Sequence, residues 1–187
     1  MKSLSEKAPD RLTPQAGAGD EGDARAGVLL HPFAPVSDEK ATRLILGSFP
    51  SVMSRRSSFY YGNPRNRFWQ VLGGVLGEDA PGDIPGKKAW LARHGIALWD
   101  VLASCRITGS GDASIREAGA NDIPGLLRRT AINRIFCNGQ TAGRYYRRFI
   151  QPLTDLQAVI LPSTSPANAA WHLDDLISAW QAVGREN

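Results

Sequence analysis

The sequence is poor in cysteine, and what it has is widely spaced. Its two cysteines, Cys105 and Cys137, form no Cys-x-x-Cys pair. That spacing excludes an iron–sulfur cluster or a structural zinc site built on cysteine. The three histidines, His31, His94 and His172, have no metal-ligand spacing either. We therefore expect the thiols in the core and the imidazoles at ordinary surface or core positions.

Long apolar runs are also missing from the sequence. None approaches the roughly 18 residues that a membrane-spanning helix needs, and none near the start resembles a signal peptide. These absences predict a soluble cytoplasmic protein with no membrane partner. The length of 187 residues, with 42% apolar and 21% charged residues, fits one globular domain.

The first 27 residues lack any apolar periodicity and are rich in Ala, Gly, Asp and Glu. Such a segment cannot bury enough apolar surface to offset the entropy lost on ordering. We predict a disordered tail over residues 1–27 and one folded domain over residues 28–187. We expect the protein to act as a monomer.

Acidic residues are missing from two arginine-rich segments, residues 47–69 and 123–150. The arginines of the first segment are Arg55, Arg56, Arg65 and Arg67. Because no local acid is available to pair with them, a polyanion such as nucleic acid is favoured as the partner. For the second segment, solvated surface arginines are an equal alternative.

Short apolar runs predict the fold. They cover residues 43–46, 96–99, 132–137 and 156–161. Runs that are apolar on both faces and alternate with helical patterns indicate a parallel sheet covered by helices. We predict an α/β protein, a three-layer α/β/α arrangement with a central four-stranded parallel sheet. The ligand crevice of such a sheet lies beyond the strand ends, here Gly47, Asp100, Asn138 and Pro162.

Several helices have recognisable starts. Asn63 fits an N-cap with Pro64 at the first helical position, and this helix should end near Gly77. Further helices are predicted from Asp122 through Arg129, over residues 140–149, and around Leu173, Leu176, Ile177 and Trp180 as the buried face of the last one.

Four segments resemble the uracil-DNA glycosylase superfamily. They are Gly-Ser-Phe-Pro-Ser at 47–51, Gly-Ile-Ala-Leu-Trp-Asp at 95–100, Ile-Phe-Cys-Asn-Gly at 135–139 and Leu-Pro-Ser-Thr-Ser-Pro-Ala at 161–167. Residues 59–69 and 161–167 look like the hypoxanthine-DNA (deoxyinosine) glycosylase branch. The resemblance implies a uracil-DNA glycosylase-like fold and, without metal or cofactor, hydrolysis of the N-glycosidic bond of a deaminated base in damaged DNA. The base would be flipped out of the duplex, with uracil and hypoxanthine as substrates and xanthine as a further candidate.

Two residues are candidates for catalysis. Many relatives place an Asp or Asn where this chain has Phe49, and a phenyl ring cannot position a water molecule. Either another side chain has taken this role, or the reaction proceeds by stabilisation of the leaving base alone. We predict that Asn66 supplies the missing group, although it could instead bond only to neighbouring backbone. Asp100 is the second candidate, because a carboxylate accepts a hydrogen bond from the ring N–H of uracil or hypoxanthine. It could alternatively activate water or cap the following turn.

The remaining candidates follow from the resemblance. Base-binding residues are Gly47, Ser48, Phe49, Tyr60, Tyr61 and Asn138, with a tyrosine expected to stack on the base. DNA-binding residues are Ser51, Arg65, Arg67, Ser163, Thr164, Ser165, Asn168 and Trp171. The last two are candidates for a wedge, although Trp171 could begin the buried face of the final helix. Leu161 stands where relatives often carry His or Asn.

Two rival functions remain open at the sequence level. Since Phe49 and Leu161 replace polar residues of many relatives, the chain could be a nucleic-acid-binding module that has kept the fold and lost the chemistry. A hydrolase of free nucleotides is disfavoured, because it would not need two arginine clusters. The expected function is a monofunctional DNA glycosylase of base excision repair.

Overall fold

The four predicted strands form one parallel sheet. A computed structural model describes residues 27–107 and 115–185, so the predicted tail lies outside the described residues except for Gly27. The strands are β2 (Arg43–Gly47), β3 (Ile96–Asp100), β6 (Arg134–Asn138) and β7 (Ala158–Leu161), in the order β3-β2-β6-β7. Every residue of β2 and β3 is buried. The prediction of a four-stranded parallel sheet flanked by helices is confirmed.

A second, smaller sheet was not predicted. It consists of β1 (Leu29–Leu30), β4 (Leu102–Ile107) and β5 (Ile115–Ala120), paired antiparallel in the order β1-β4-β5. Only Val101 separates β3 from β4, and its N–H donates to the carbonyl of Gly47 (2.9 Å). The polar residues of β4 and this short connection hid the strand, because the pattern reads as one strand followed by a loop.

Seven helices are seen in the described residues. They are α1 (Val52–Ser57), α2 (Phe68–Leu76), α3 (Ile84–Arg93), α4 (Ile123–Arg128), α5 (Gln140–Phe149), α6 (Gln151–Thr154) and α7 (Leu173–Gly184). The bounds predicted for α5 are confirmed, and Asp122 caps α4 by accepting the N–H of Gly125 (2.9 Å). α2 ends at Gly77, whose φ of 74° is open to glycine at little cost. No described helix is long and apolar enough to cross a membrane.

The predicted start of α2 at Asn63 and Pro64 is wrong. Residues 63–66 form a turn instead, in which the Asn63 side chain accepts the N–H of Arg65 (3.0 Å) and the Asn63 carbonyl accepts the N–H of Asn66 (2.8 Å). The N–H of Arg67 then donates to the carbonyl of Thr164 (3.1 Å). Because this contact joins the turn to a distant loop, the helix begins only at Phe68.

The last helix, α7, is held against the sheet by side chains that reach its carboxyl end. Arg43 donates to the carbonyl of Val183 (2.8 Å) and Arg134 to that of Ala182 (2.7 Å). Leu176 and Trp180 are buried as predicted, but Leu173 is 36% exposed and does not belong to the buried face. It occupies the first turn, at the edge of the sheet.

Candidate functional site

A cavity of about 120 Å³ opens at the carboxyl ends of the parallel strands. Its lining is Phe33, Gly47, Ser48, Phe49, Pro50, Ser51, Ser54, Tyr60, Tyr61, Asn66, Asp100, Asn138, Ser163 and Ser165. An engineered cavity of about 150 Å³ holds benzene, so this space is of the right order for a planar ring. The predicted position of the crevice therefore holds a real pocket.

The floor of the pocket is formed where β2 and β3 end side by side. Gly47 pairs with Asp100 across the sheet, and a Cβ atom on residue 47 would overlap Oδ1 of Asp100. Glycine is therefore required for the close approach of this carboxyl group. Asp100 is only 5% exposed, yet it reaches the cavity.

A histidine that the sequence did not single out contacts this carboxyl group. Nε2 of His31 lies 2.8 Å from Oδ2 of Asp100. The His31 side chain is 4% exposed, and its ring meets those of Phe33 and Phe49 edge-on, at 4.8 and 6.0 Å between centroids. His31 follows β1, far from Asp100 in the chain, and no spacing rule connects them. The pairing depends on the unpredicted small sheet.

The two adjacent tyrosines of the lining differ in what their hydroxyl groups do. Tyr60 is buried and donates to the carbonyl of Ala34 (3.0 Å). The Tyr61 hydroxyl is also buried, and no described residue forms a hydrogen bond of ordinary geometry with it. The nearby Asn138 amide can act on the phenol oxygen only as a donor, so the hydroxyl proton has no acceptor among the described residues. Its ring stacks on Phe68, with centroids 3.7 Å apart, and its φ of 53° is uncommon for a residue other than glycine. Such strain is often found at functional sites.

The environment keeps the Tyr61 hydroxyl protonated. Burial raises the pKa of Tyr61 well above its usual value, and the nearby Asp100 carboxyl group raises the pKa further, while the Asn138 amide opposes this. Burial likewise raises the pKa of Tyr60. A neutral phenol can donate a hydrogen bond. Tyr61 therefore offers a donor to the pocket, close to the Asp100 carboxyl group.

Asn66 lines the pocket, and its side-chain oxygen is already occupied. Oδ1 accepts the N–H of Phe68 (3.0 Å) and the hydroxyl of Thr164 (2.9 Å). Since a backbone N–H can only donate, the contact with Phe68 fixes which end of the amide is oxygen. The oxygen's two lone pairs are thereby engaged, and the Nδ2 amine is the group that the side chain can offer to a ligand.

Thr164 connects Asn66 with Asn138 and is not placed to contact a phosphate. Its hydroxyl accepts from Nδ2 of Asn138 (2.9 Å), and its N–H donates to Oδ1 of Asn138 (3.0 Å). Thr164 is fully buried. The prediction that its hydroxyl binds DNA is wrong, because that group bridges the amides of Asn66 and Asn138. Both amides are pocket residues, as predicted.

The serines of the predicted DNA contact lie at the pocket, where they also support local turns. Ser51 caps α1 by accepting the N–H of Ser54 (3.2 Å). The Ser163 hydroxyl accepts the N–H of Ser165 (3.2 Å). Ser48 is buried in the lining. The Ser51 and Ser163 hydroxyl groups therefore have structural contacts, and their role toward phosphate remains a prediction, as does contact of Ser48 with the base.

The arginines of the first cluster have different surroundings. The Arg67 guanidinium donates to the carbonyls of Trp171, Ser165 and Asn168. Arg55 donates to the carbonyl of Pro50 (2.7 Å) and lies over the Phe49 ring. These two therefore bind backbone carbonyls, a partner overlooked when only acids were considered. Arg67 anchors residues 165–171 through these carbonyls, and its predicted contact with phosphate remains a prediction. Arg56 and Arg65 are exposed.

The wedge candidates lie on the loop that Arg67 anchors. Asn168 donates from Nδ2 to the carbonyl of Ser163 (2.8 Å), so its side chain helps to shape the loop. Trp171 is 37% exposed and precedes α7. Its ring is not part of the buried helical face. Leu161 is buried in the core and is absent from the pocket lining.

The fold and the pocket define the class of protein: an α/β protein whose ligand site lies at the carboxyl ends of a parallel sheet. The sequence model of the uracil DNA glycosylase superfamily matches residues 34–184. The chain belongs to this superfamily, and the resemblance seen in its four motifs is confirmed.

Two relatives from archaea are similar over most of the chain. A protein of Methanosarcina acetivorans named hypoxanthine DNA glycosylase is 38% identical over 163 residues, which cover 84% of this chain and 99% of the relative. A protein of the same name from Methanosarcina barkeri is 36% identical over 139 residues, which cover 73% of this chain and 86% of that relative. A solution NMR structure from Methanosarcina acetivorans, provisionally described as a uracil DNA glycosylase, has a TM-score of 0.69 at 32% identity and covers 82% of this chain and 97% of its own.

Proposed function

We propose that this chain is a monofunctional DNA glycosylase that removes deaminated bases, hypoxanthine and uracil, from DNA. Membership of the superfamily and the names of its relatives support this activity. The observation that carries the proposal is a hydrogen-bond acceptor beside a neutral donor at the pocket floor. The acceptor is the Asp100 carboxylate, and the donor is the Tyr61 hydroxyl, which a substrate could satisfy.

This pair matches the edge that deamination creates. Hypoxanthine carries a ring N–H next to a carbonyl oxygen, whereas adenine carries a bare ring nitrogen next to an amino group. Uracil and cytosine differ in the same way. A carboxylate accepts and a neutral phenol donates, so Asp100 would take the ring N–H while Tyr61 bonds the carbonyl. The undamaged bases would present the wrong polarity to both groups.

We assign stabilisation of the leaving base to Asn66. When the N-glycosidic bond breaks, its electron pair moves onto the base, and a preorganised N–H donor stabilises the growing negative charge. The engaged oxygen of Asn66 holds the amide in place, so that Nδ2 presents its N–H groups. A water molecule then adds to the cationic sugar carbon and loses one proton, which passes through solvent to the base anion and gives the neutral free base. This differs from the expectation that the Asn66 oxygen positions the water.

The groups around the pocket would hold the DNA. We propose that the exposed Arg65 and the hydroxyls of Ser51, Ser163 and Ser165 contact phosphates, and that Trp171 enters the base stack where the nucleotide leaves it. We propose that the protein acts as a monomer. We place this activity in the cytoplasm.

A panel of labelled duplexes tests the proposal. Each duplex carries one hypoxanthine, uracil or xanthine, or an undamaged adenine, and abasic sites are revealed by alkaline cleavage. We expect cleavage at hypoxanthine and uracil, with adenine untouched. The variant N66A, purified in parallel, should lose at least ~100-fold in single-turnover rate and so excludes a contaminating enzyme. Tight binding without cleavage of any lesion would instead favour the non-catalytic binding module.

A further inference from the structure

Among the described residues, the His31 imidazole has one polar contact, and that contact is with Asp100. Nε2 lies 2.8 Å from Oδ2, while Nδ1 is buried and has no hydrogen-bond partner among the described residues. His31 is absent from the pocket lining. A buried histidine with a single polar contact acts through that contact, so any role of this ring in the reaction runs through the Asp100 carboxyl group.

The position of the ring is fixed from several sides. The backbone N–H of His31 donates to the backbone carbonyl of Ala103 (2.7 Å), which connects residue 31 to the small sheet. The rings of Phe33, Phe49 and Tyr60 surround the imidazole, with centroids 4.8 to 6.2 Å away. Tight packing of this kind leaves the imidazole little freedom to rotate. It can therefore hold its partner in one orientation.

The pairing determines which way the carboxyl group faces. With Oδ2 directed to His31, Oδ1 lies over Gly47 at the pocket floor. When Nε2 carries the proton, it donates to Oδ2 and leaves Oδ1 to face the pocket as an acceptor. A protonated carboxyl group would offer an O–H donor, which suits the bare ring nitrogen of adenine.

We infer that His31 is a positioning and specificity-determining residue, which keeps the Asp100 carboxylate oriented as the acceptor for the ring N–H of a deaminated base. The inference rests on the proposed function of the same pocket. It adds a residue that does not touch the substrate, and it predicts that discrimination against adenine depends on a side chain outside the cavity.

Three variants of His31 separate positioning from packing. H31F keeps an aromatic ring in the cage and removes the donor, H31Q restores an N–H donor, and H31A removes both. We expect H31F to lose about 10- to 100-fold in single-turnover rate on a hypoxanthine duplex, the equivalent of one hydrogen bond to a charged group. The ratio of the cleavage rate at hypoxanthine to the cleavage rate at adenine should also fall in H31F. H31Q should recover most of both, and H31F should unfold thermally close to the wild type.

A double variant adds a rate comparison that distinguishes a positioning residue from a merely structural one. In the D100N background, H31F should change the rate by less than about threefold, because residues that act through one another are not additive. Full activity and unchanged preference in H31F would overturn the inference while leaving the glycosylase function intact. The inference would also be overturned if H31F reduced the rate equally in the D100N and wild-type backgrounds, or if H31Q were no more active than H31F. A wild-type protein that cleaves no lesion would overturn the function itself, and this inference with it.

Discussion

Single residues in the pocket are held in fixed hydrogen-bonding polarity. Asn66 is the clearest case, because two donors converge on its oxygen, from Phe68 and Thr164. The acceptor end of the amide therefore serves the protein and the donor end is left for the substrate. Replacing the amide with a carboxylate of the same shape keeps an oxygen for the two donors but removes the N–H groups offered to the substrate.

The variant N66D tests this assignment. It keeps an oxygen for the two donors, so its unfolding free energy should stay within about 1 kcal/mol of the wild type. It loses the N–H donor and gains a charge that repels an anionic base, so the single-turnover rate should fall at least ~100-fold. Denaturant unfolding and rates on a hypoxanthine duplex measure the two effects. Wild-type cleavage by N66D would show that the amide donor is not needed.

Tyr60 and Tyr61 offer a matched pair of substitutions to phenylalanine. Y61F removes a buried hydroxyl whose proton has no acceptor among the described residues, so we expect unchanged or slightly higher stability together with about tenfold slower cleavage. Y60F breaks the hydrogen bond to Ala34 and should cost about 1 kcal/mol of stability with little change in rate. Thermal melts and single-turnover rates distinguish them. The reverse pattern would make Tyr60 the residue that contacts the base.

The sequence predicted the polar residues of the pocket better than their roles. Asp100 and Asn138 follow buried strands, so their presence at one edge of the sheet could be foreseen from the strand pattern. Thr164 could not be separated from its half-buried neighbours Ser163 and Ser165, because burial of a hydroxyl depends on the path of the loop. His31 was missed because its pairing with Asp100 arises only from tertiary packing.

Among the elements, the loop over residues 163–171 depends most on a single side chain. Arg67 donates to three of its carbonyls, from Ser165, Asn168 and Trp171. Arginine presents several donors in a rigid planar fork, whereas lysine presents one compact ammonium group. This loop carries the hydroxyls and the exposed indole that we propose to contact DNA.

We expect R67K to lower stability by about 1–3 kcal/mol, because a lysine cannot satisfy the three carbonyls together. R65K, two residues away on the same turn and exposed, is the control and should stay within about 0.5 kcal/mol of the wild type. Denaturant unfolding gives both values. If R67K is as stable as R65K, the anchoring role of Arg67 is wrong.

Element boundaries show the limits of local patterns. α4 and α5 begin where short-range signals place them, since Asp122 caps within its own turn and Gln140 follows a turn at Gly139. The start of α2 was misplaced because the N–H of Arg67 bonds to Thr164, almost a hundred residues away in the chain. The small sheet was missed because its strands are short and β4 follows β3 after one residue.

For the molecule as a whole, positive charge near the pocket should govern DNA affinity. Arg56 and Arg65 are exposed on the segment that surrounds the pocket, whereas Arg93 pairs with Glu78 just before the amino end of β3. Each phosphate contact that is lost should reduce the slope of log K against log salt concentration by about 1.

We therefore expect R56A and R65A each to weaken binding to lesion-containing and undamaged duplexes alike, with a shallower salt dependence. R93A removes the same charge at the opposite end of the sheet and should leave the slope unchanged. Fluorescence anisotropy across a salt series measures all three. An equal effect of R93A would mean that net charge, rather than its location, controls the affinity.

The contact between His31 and Asp100 bears on how members of this superfamily are compared. The match to the family begins at residue 34, so it contains the carboxyl group and omits the imidazole that pairs with it. A chain trimmed to that boundary would retain all four parallel strands and nearly the whole cavity, yet Asp100 would have lost its contact with His31. Alignments confined to the shared region would likewise pass over this position. The segment that precedes the recognisable domain is therefore where differences in base preference between related proteins should be sought.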